Sequence, residues 1–180
     1  MEMYAIEEGK LLIHDPELGL AIEEPFHSQL QQTFNKEKHL LSECHYLEGV
    51  LHGPSKFYGP NGELLSISWF YKGHRHGKML QYYQSGALYS RQSFVLGQRT
   101  GRHLYYYPDG TLRTEIPYSI ISTSLSNKNL LVGLMDGEMK LYWPSGILKR
   151  SVFLVKGKKN GTEMFYAEDG AITEAITHGP

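Results

Sequence analysis

A 24-residue period runs through the chain from Gly49 onward. Two sets of glycines mark it, and a tyrosine stands four residues before each glycine of the second set. The first set is Gly53, Gly77, Gly101, Gly137 and Gly161, and the second is Gly62, Gly86, Gly110, Gly146 and Gly170. Only the third copy is longer, by 12 residues. Because each copy in such an array buries its apolar face against its neighbours, the period predicts a repeat architecture.

Each copy has the pattern of two strands joined by a tight turn. The turns end in glycine, which accepts a positive φ, and several begin with proline, whose φ is close to that of a turn: Pro60-Asn61-Gly62, Gln84-Ser85-Gly86, Pro108-Asp109-Gly110, Pro144-Ser145-Gly146 and Glu168-Asp169-Gly170. The connection between copies closes on dipeptides such as His76-Gly77, which also suit a tight turn. Helical periodicity is absent here, so we predict an all-β fold, an elongated array of antiparallel β-hairpins.

The segments GQRTGRHLYYYPDGTL and GKKNGTEMFYAEDGAI combine Gly-x-x-x-Gly, an aromatic pair and a later glycine followed by leucine or isoleucine. This pattern resembles the MORN repeat, and more closely its bacterial variant with a Tyr-x-x-x-Gly-x-Leu core. The resemblance covers five copies between about Tyr46 and Ile176. It implies a row of antiparallel hairpins that acts as an interaction module. Related proteins are variously associated with membrane attachment, self-association, scaffolding or an antitoxin-like role.

Residues 1–43 do not repeat, and we predict that they form a small cap ahead of five repeats over 44–180. Alternating apolar residues around Gly9 favour a strand pair that covers the open edge of the array. After Pro25, Phe26, Leu30 and Phe34 recur at intervals of four, so the cap has room for a short helix. A partner-binding helix is the alternative. The insertion near 117–129 is interpreted as a tolerated loop, with a functional loop as the alternative.

Composition argues against several classes of function. The formal net charge is −1, so no overall basic field attracts nucleic acid. The one cysteine, Cys44, cannot form an internal disulfide, and the first residues lack the pattern of a cleavable signal peptide. No apolar run approaches the ~20 residues that span a bilayer. We therefore expect cytoplasmic residence, although export without such a signal stays open.

We predict no catalytic site, no cofactor and no metal site. The histidine-rich segment around His74 and His76 comes nearest to a metal site, together with His52 and His103. No carboxylate or cysteine completes that set of ligands, and His76 occupies a turn position that other copies fill with Thr, Asp or Asn. The glycines alternate with strands rather than opening a helix, which argues against a phosphate-binding loop.

The positions where the copies differ are the best candidates for binding. Rings that hold every repeat together should recur in every repeat, whereas Tyr83, Tyr107 and Trp143 are replaced by Gly59 and Ala167 in the two end copies. Tyr105 stands in the same irregular aromatic row. We predict that this group contacts another protein, the alternatives being coverage by the N-terminal segment or by a second copy of the chain.

A lysine-rich junction carries a second hypothesis for function. Lys156, Lys158 and Lys159 stand close together in the last junction between copies. Such clusters are usually solvated surface, but this one also suits peripheral binding of anionic lipid. Homo-oligomerisation through the sheet edges stays open.

Overall fold

The computed structural model describes residues 1–125 and 128–179. Two residues of the predicted insertion, Ser126 and Asn127, lie outside the described residues. All regular structure in the described part is β-strand, as predicted, and within it no helix has the length and apolarity needed to cross a membrane. The chain divides into an N-terminal unit, Met1–Ala87 with Ser93–Gly97, and a C-terminal unit, Leu88–Gln92 with Gln98–Pro180.

The N-terminal unit contains a small three-stranded sheet and the first strands of the repeat array. The small sheet has the order β1 (Met3–Glu7), β2 (Lys10–Asp15), β3 (Leu20–Pro25), and its first two strands are the pair predicted around Gly9. The array strands follow in chain order, each antiparallel to the next: β4 (Gln29–Phe34), β5 (Leu40–Leu47), β6 (Val50–Tyr58), β7 (Leu64–Tyr71) and β8 (His74–Tyr82).

The core of the N-terminal unit forms where the small sheet packs on the array. Leu11, Ile13 and Leu20 of the small sheet cluster with Trp69 of β7, and all four are buried. The ring of Tyr4 contacts Trp69 at a centroid distance of 5.6 Å. Full burial of a large apolar side chain stabilises a fold by about 1.5–3 kcal/mol. This cluster therefore holds the small sheet against the array.

The short helix allowed after Pro25 is not formed, because Gln29–Phe34 is strand β4, paired with β5. An isolated helix of this length is marginal, whereas an existing sheet edge offers backbone hydrogen bonds. The β4–β5 turn has the bonds of the repeat turns: Asn35 N–H donates to His39 O at 2.9 Å and Lys38 N–H to Asn35 O at 3.0 Å. Residue 43, the predicted boundary, lies inside β5.

The C-terminal unit contains the later repeats of the sequence. Its strands are the first residues of β9 (Leu88–Val95), β10 (Gln98–Arg99), β11 (Gly101–Tyr106), β12 (Leu112–Leu125), β13 (Lys128–Met135), β14 (Gly137–Tyr142), β15 (Leu148–Val155), β16 (Lys158–Tyr166) and β17 (Ile172–His178). They are ordered β17-β16-β15-β14-β12-β11-β9, with β13 beside β12. The insertion is not a simple loop, because Tyr118–Leu125 pairs antiparallel with Lys128–Met135.

The connection between repeats differs in position from the prediction. The tight turn is at Lys72-Gly73, with φ of 46° and 87°, rather than at His76-Gly77. Two successive positive φ values are typical of the turns that favour the natural twist of a hairpin. Gly77 keeps the predicted positive φ, 107°, but lies within β8. The residue before it, His76, is therefore a strand residue and not part of the tight turn.

Candidate functional site

At three of the repeat positions, the residue before such a glycine caps the turn of the next repeat. His52 Nδ1 accepts a hydrogen bond from the N–H of Lys72 at 3.0 Å, and His76 Nδ1 accepts one from Leu96 at 3.0 Å. Asp136 Oδ1 likewise accepts a hydrogen bond from the N–H of Lys156 at 3.0 Å. Burial lowers the pKa of both histidines, which keeps Nδ1 free to accept. The two histidines therefore have a structural role that explains their place in the repeat.

In the described residues, one acidic group has the spacing of metal ligands: Glu2, Asp15 and Glu17. Lys78 already supplies a positive charge there, since its Nζ lies 2.7 Å from Glu17 and 3.5 Å from Asp15. The hydroxyl of Tyr4 donates to Asp15 at 2.6 Å. Burial, followed by the bond to Asp15, raises the pKa of Tyr4. This cluster is an internal ion network that joins the small sheet to β8.

Two of the predicted partner-binding residues, Tyr107 and Trp143, tie one repeat to the next. The Tyr107 hydroxyl donates to the carbonyl oxygen of Tyr142 at 2.7 Å. The Trp143 Nε1–H donates to the carbonyl of Tyr166 at 3.0 Å. Both rings are half-buried. Their polar atoms are therefore occupied within the array, while part of each ring is accessible.

The other two predicted residues, Tyr83 and Tyr105, have different surroundings. Tyr105 contacts the ring of Tyr89 at a centroid distance of 6.0 Å, and burial raises its pKa. Tyr83 lies in the N-terminal unit, where its N–H donates to Ala87 O at 2.9 Å in a hairpin turn. Both rings are half-buried. Tyr105, Tyr107 and Trp143 share the C-terminal unit, and Tyr83 does not.

The three lysines of the last junction are not equivalent. Lys156 occupies the turn with a φ of 50°, and Lys156 and Lys158 are exposed. Lys159 Nζ instead lies 2.8 Å from a carboxylate oxygen of Glu163, which is only 1% exposed. The Lys159 ammonium is therefore held in an ion pair within the protein. Lys159 is itself 43% exposed, so it differs from Lys156 and Lys158 by its ion pair rather than by burial.

Glu163 is the centre of an ion cluster that the sequence analysis missed. Besides Lys159, it accepts hydrogen bonds from Arg150 and from His178 Nε2, the latter at 2.7 Å. Burial by itself raises the pKa of Glu163, but the bonds from Lys159, His178 and Arg150 outweigh it and lower the pKa to about 2. The partners come from three strands, so no local pattern in the chain indicates the cluster.

A second feature that the sequence analysis missed is an apolar surface on β15. Phe153 is 50% exposed and Val155 40% exposed. Allowing for the insertion, these positions correspond in the repeat to Trp69 and Tyr71. Trp69 is only 8% exposed, since the small sheet packs on it. Alignment of the copies could have paired Trp69 with Phe153, but only the structure shows that one is covered.

A family model of the MORN repeat variant matches residues 51–72, 75–95, 99–119 and 135–155. The chain is a MORN repeat protein. The fifth predicted repeat lies beyond the matched segments but has the same turn, in which Ala167 N–H donates to Ala171 O at 2.8 Å and Gly170 N–H to Ala167 O at 3.0 Å. MORN repeats are generally binding modules for proteins or membranes and generally non-catalytic. No curated protein matches the chain significantly.

Proposed function

We propose that this MORN repeat protein is a non-catalytic binding module for another protein, as an adaptor, inhibitor or scaffold subunit. The observation that carries the proposal is the exposure of Phe153 and Val155 at repeat positions where the N-terminal unit covers Trp69. Scattered exposed apolar side chains are normal, whereas neighbouring ones on one strand face favour an interaction site. Residues 153 and 155 share a strand face because side chains alternate.

Aromatic residues of the C-terminal unit form a second predicted contact region, and its Tyr105 lies on the sheet face opposite to Phe153. Tyr105, Tyr107 and Trp143 are half-buried, and Lys149 Nζ lies 4.2 Å from the centre of the Trp143 ring. Tyrosine and tryptophan are enriched at interface hot spots because large rigid rings lose little conformational entropy when they are buried. Tyr83 belongs to the N-terminal unit and stays a separate predicted contact residue.

The test compares partner capture by surface variants. The tagged full chain is used as bait in lysate of the native host, beside Phe153→Ser, Trp143→Ala and a matched control, Phe34→Ser, at a position of 54% exposure in β4. We expect Phe153→Ser and Trp143→Ala to lose a partner that wild type and Phe34→Ser retain. Circular dichroism melts establish that each variant folds. Retention of every specific partner by folded Phe153→Ser and Trp143→Ala would count against the proposed surface.

One observation favours a second candidate function, peripheral binding of anionic lipid. The exposed Lys156 and Lys158 directly follow the exposed Phe153 and Val155, so basic and apolar side chains lie side by side. Each lysine near an anionic surface contributes about 1 kcal/mol. Flotation with phosphatidylserine vesicles at low salt tests this function. Lys156→Gln/Lys158→Gln should then lose binding and the control Lys36→Gln should keep it, whereas no flotation of wild type excludes the function.

A further inference from the structure

The N-terminal unit has a row of small side chains across its array strands. Cys44 pairs with Ser55, Ser55 with Ser68, and Ser68 with Met79. Directly opposed residues of antiparallel strands place their side chains on the same face. The row therefore crosses β5, β6 and β7 with three small residues in succession before it reaches Met79.

Larger side chains flank this row. Phe57, paired with Ser42 and Ser66, stands on one side of it. On the other side Tyr46 pairs with Leu51, and Phe70 with Arg75. The small row and its flanking residues line a cavity of about 190 Å³. We call this cavity the serine trench.

The fold does not require small residues along this row. In the C-terminal unit the equivalent cross-strand pairs are His103 with Ile116, Met139 with Val152, and Glu163 with Ile176. Those side chains are larger than the ones of Cys44, Ser55 and Ser68. The trench is therefore a property of the N-terminal repeats and not of the repeat backbone.

A buried hydroxyl group lies in the serine trench without a partner. Ser55 is 3% exposed, and no hydrogen-bond partner for its Oγ is found among the described residues. Buried polar groups are nearly always hydrogen-bonded, and an exception calls for an explanation. A hydrogen bond between Ser55 Oγ and a bound ligand explains this exception.

A cation lies at the side of the serine trench. The guanidinium of Arg75 lies 5.5 Å from the centre of the Phe70 ring and 5.7 Å from that of Phe94. No salt bridge to Arg75 is found in the part of the chain that the structure describes. Ring stacking leaves the edge of a guanidinium available, and that edge matches a carboxylate.

We propose that the serine trench binds a small aromatic carboxylic acid of about the size of benzoic acid. Its ring lies over the small residues between Phe57 and Phe70, its carboxylate pairs with Arg75, and Ser55 donates a hydrogen bond to one of its oxygens. The cavity of about 190 Å³ equals about six water molecules at ~30 Å³ each, which suits a small molecule and not a long chain.

A titration tests the proposal directly. 4-Fluorobenzoate is added to the full-length protein and followed by ¹⁹F NMR, with 4-fluorobenzamide as the uncharged analogue. We expect saturable binding of the acid, about tenfold weaker binding of the amide, and a similar loss for the acid with Arg75→Gln. The matched control is Arg102→Gln, an exposed arginine of the C-terminal unit, which should leave affinity unchanged.

Two further variants and a second readout separate pocket binding from surface binding. Ser68→Leu fills the trench and should abolish binding, while Ser55→Ala should weaken it a few-fold with the fold preserved. Cys44 lines the trench, so bound acid should slow its reaction with N-ethylmaleimide. Absence of saturable binding by wild type at ~10 mM acid overturns the proposal. Equal affinity in Arg75→Gln, Ser55→Ala and wild type overturns it as well, even if Ser68→Leu fails to fold.

Discussion

The two units place residues of one repeat pattern in opposite environments. Trp69 and Phe153 occupy equivalent repeat positions, yet Trp69 is 8% exposed and Phe153 50%. The difference arises from strands β1 to β3, which pack on Trp69 in the N-terminal unit. The comparison shows that the repeat defines where a side chain stands and which face it occupies. Its burial depends on what the rest of the chain places over it.

The same contrast holds on the row that forms the serine trench. Ser55 and Ser68 face each other in the N-terminal unit, whereas Glu163 and Ile176 do so in the C-terminal unit. The first pair leaves a cavity, and the second belongs to an ion cluster around a buried carboxylate. One backbone thus carries small side chains that line a cavity in one unit and larger side chains in the other.

The largest expected difference is between Trp69→Ala and Phe153→Ala. Trp69→Ala removes a buried ring and should lower the free energy of unfolding by about 3–5 kcal/mol, because a cavity remains. Phe153→Ala should lower it by less than ~1 kcal/mol, since the ring is half in solvent. Urea unfolding followed by circular dichroism measures both. Similar losses for the two variants would mean that Phe153 is also covered.

Glu163→Gln tests the ion cluster of the C-terminal unit through pH. The native pKa of about 2 lies below the ordinary 4.5, so the stabilisation is present above pH 4.5 and is lost as pH falls towards 2. At pH 7 the variant should be less stable by about 2–3 kcal/mol, with a flatter profile below pH 5.

The control for this variant is Glu138→Gln, which removes a surface ion pair with Lys140 in the same unit. It should change the free energy of unfolding by less than ~1 kcal/mol. Urea midpoints measured from pH 2 to pH 7 compare the two variants. An unchanged acid profile in Glu163→Gln would show that the cluster does not stabilise the fold.

Gly77→Ala and Gly161→Ala test how closely the small sheet approaches the array. Both glycines have positive φ, 107° and 72°, but a Cβ on Gly77 would meet the ring of Tyr4, whereas nothing lies within 4 Å at Gly161. We expect a loss of about 2–3 kcal/mol for Gly77→Ala and about 1 kcal/mol for Gly161→Ala. Chemical denaturation of both variants measures the difference. Equal losses would indicate backbone strain alone.

The smallest expected effect concerns the turn caps. Burial lowers the native pKa of His76, so stability is complete above the ordinary value of 6.5 and falls with pH below it, as the unfolded chain takes up the proton. His76→Asn should reduce that fall, with about 1 kcal/mol lost at pH 7. In the C-terminal unit, Asp136→Ala should leave the profile between pH 5 and pH 7 unchanged. Thermal melts across this range test both, and identical profiles for wild type and His76→Asn would contradict the assignment.

Much of the fold was predictable because turn residues act locally. Glycines such as Gly62 and Gly86 indicated the hairpin turns, since a positive φ depends on the residue itself. The β4 strand was missed because three apolar residues at intervals of four resemble a helix, and pairing with β5 overrides that pattern. The insertion was interpreted as a loop because it lacks the glycine turn of the other repeats, yet its two halves pair as strands.

The candidate sites were less predictable for a related reason. Tyr107 and Trp143 were identified as irregular positions, but their hydrogen bonds to the next repeat were not. Lys159 was grouped with Lys156 and Lys158, although its ammonium forms an ion pair with Glu163. The bonds of Tyr107 and Trp143 depend on partners in another repeat, and the Lys159 pair depends on a carboxylate buried by neighbouring strands.

Local sequence is enough to specify an all-β array of MORN hairpins, because glycine, proline and alternating side chains act on the backbone within a few residues. It does not specify which faces are covered. Leu11 is 58 residues from Trp69, and Glu163 meets Arg150 and His178 at separations of 13 and 15 residues. Burial and charge pairing are set by such contacts between strands. The burial of Trp69, the exposure of Phe153 and the serine trench therefore appear only once the chain is folded.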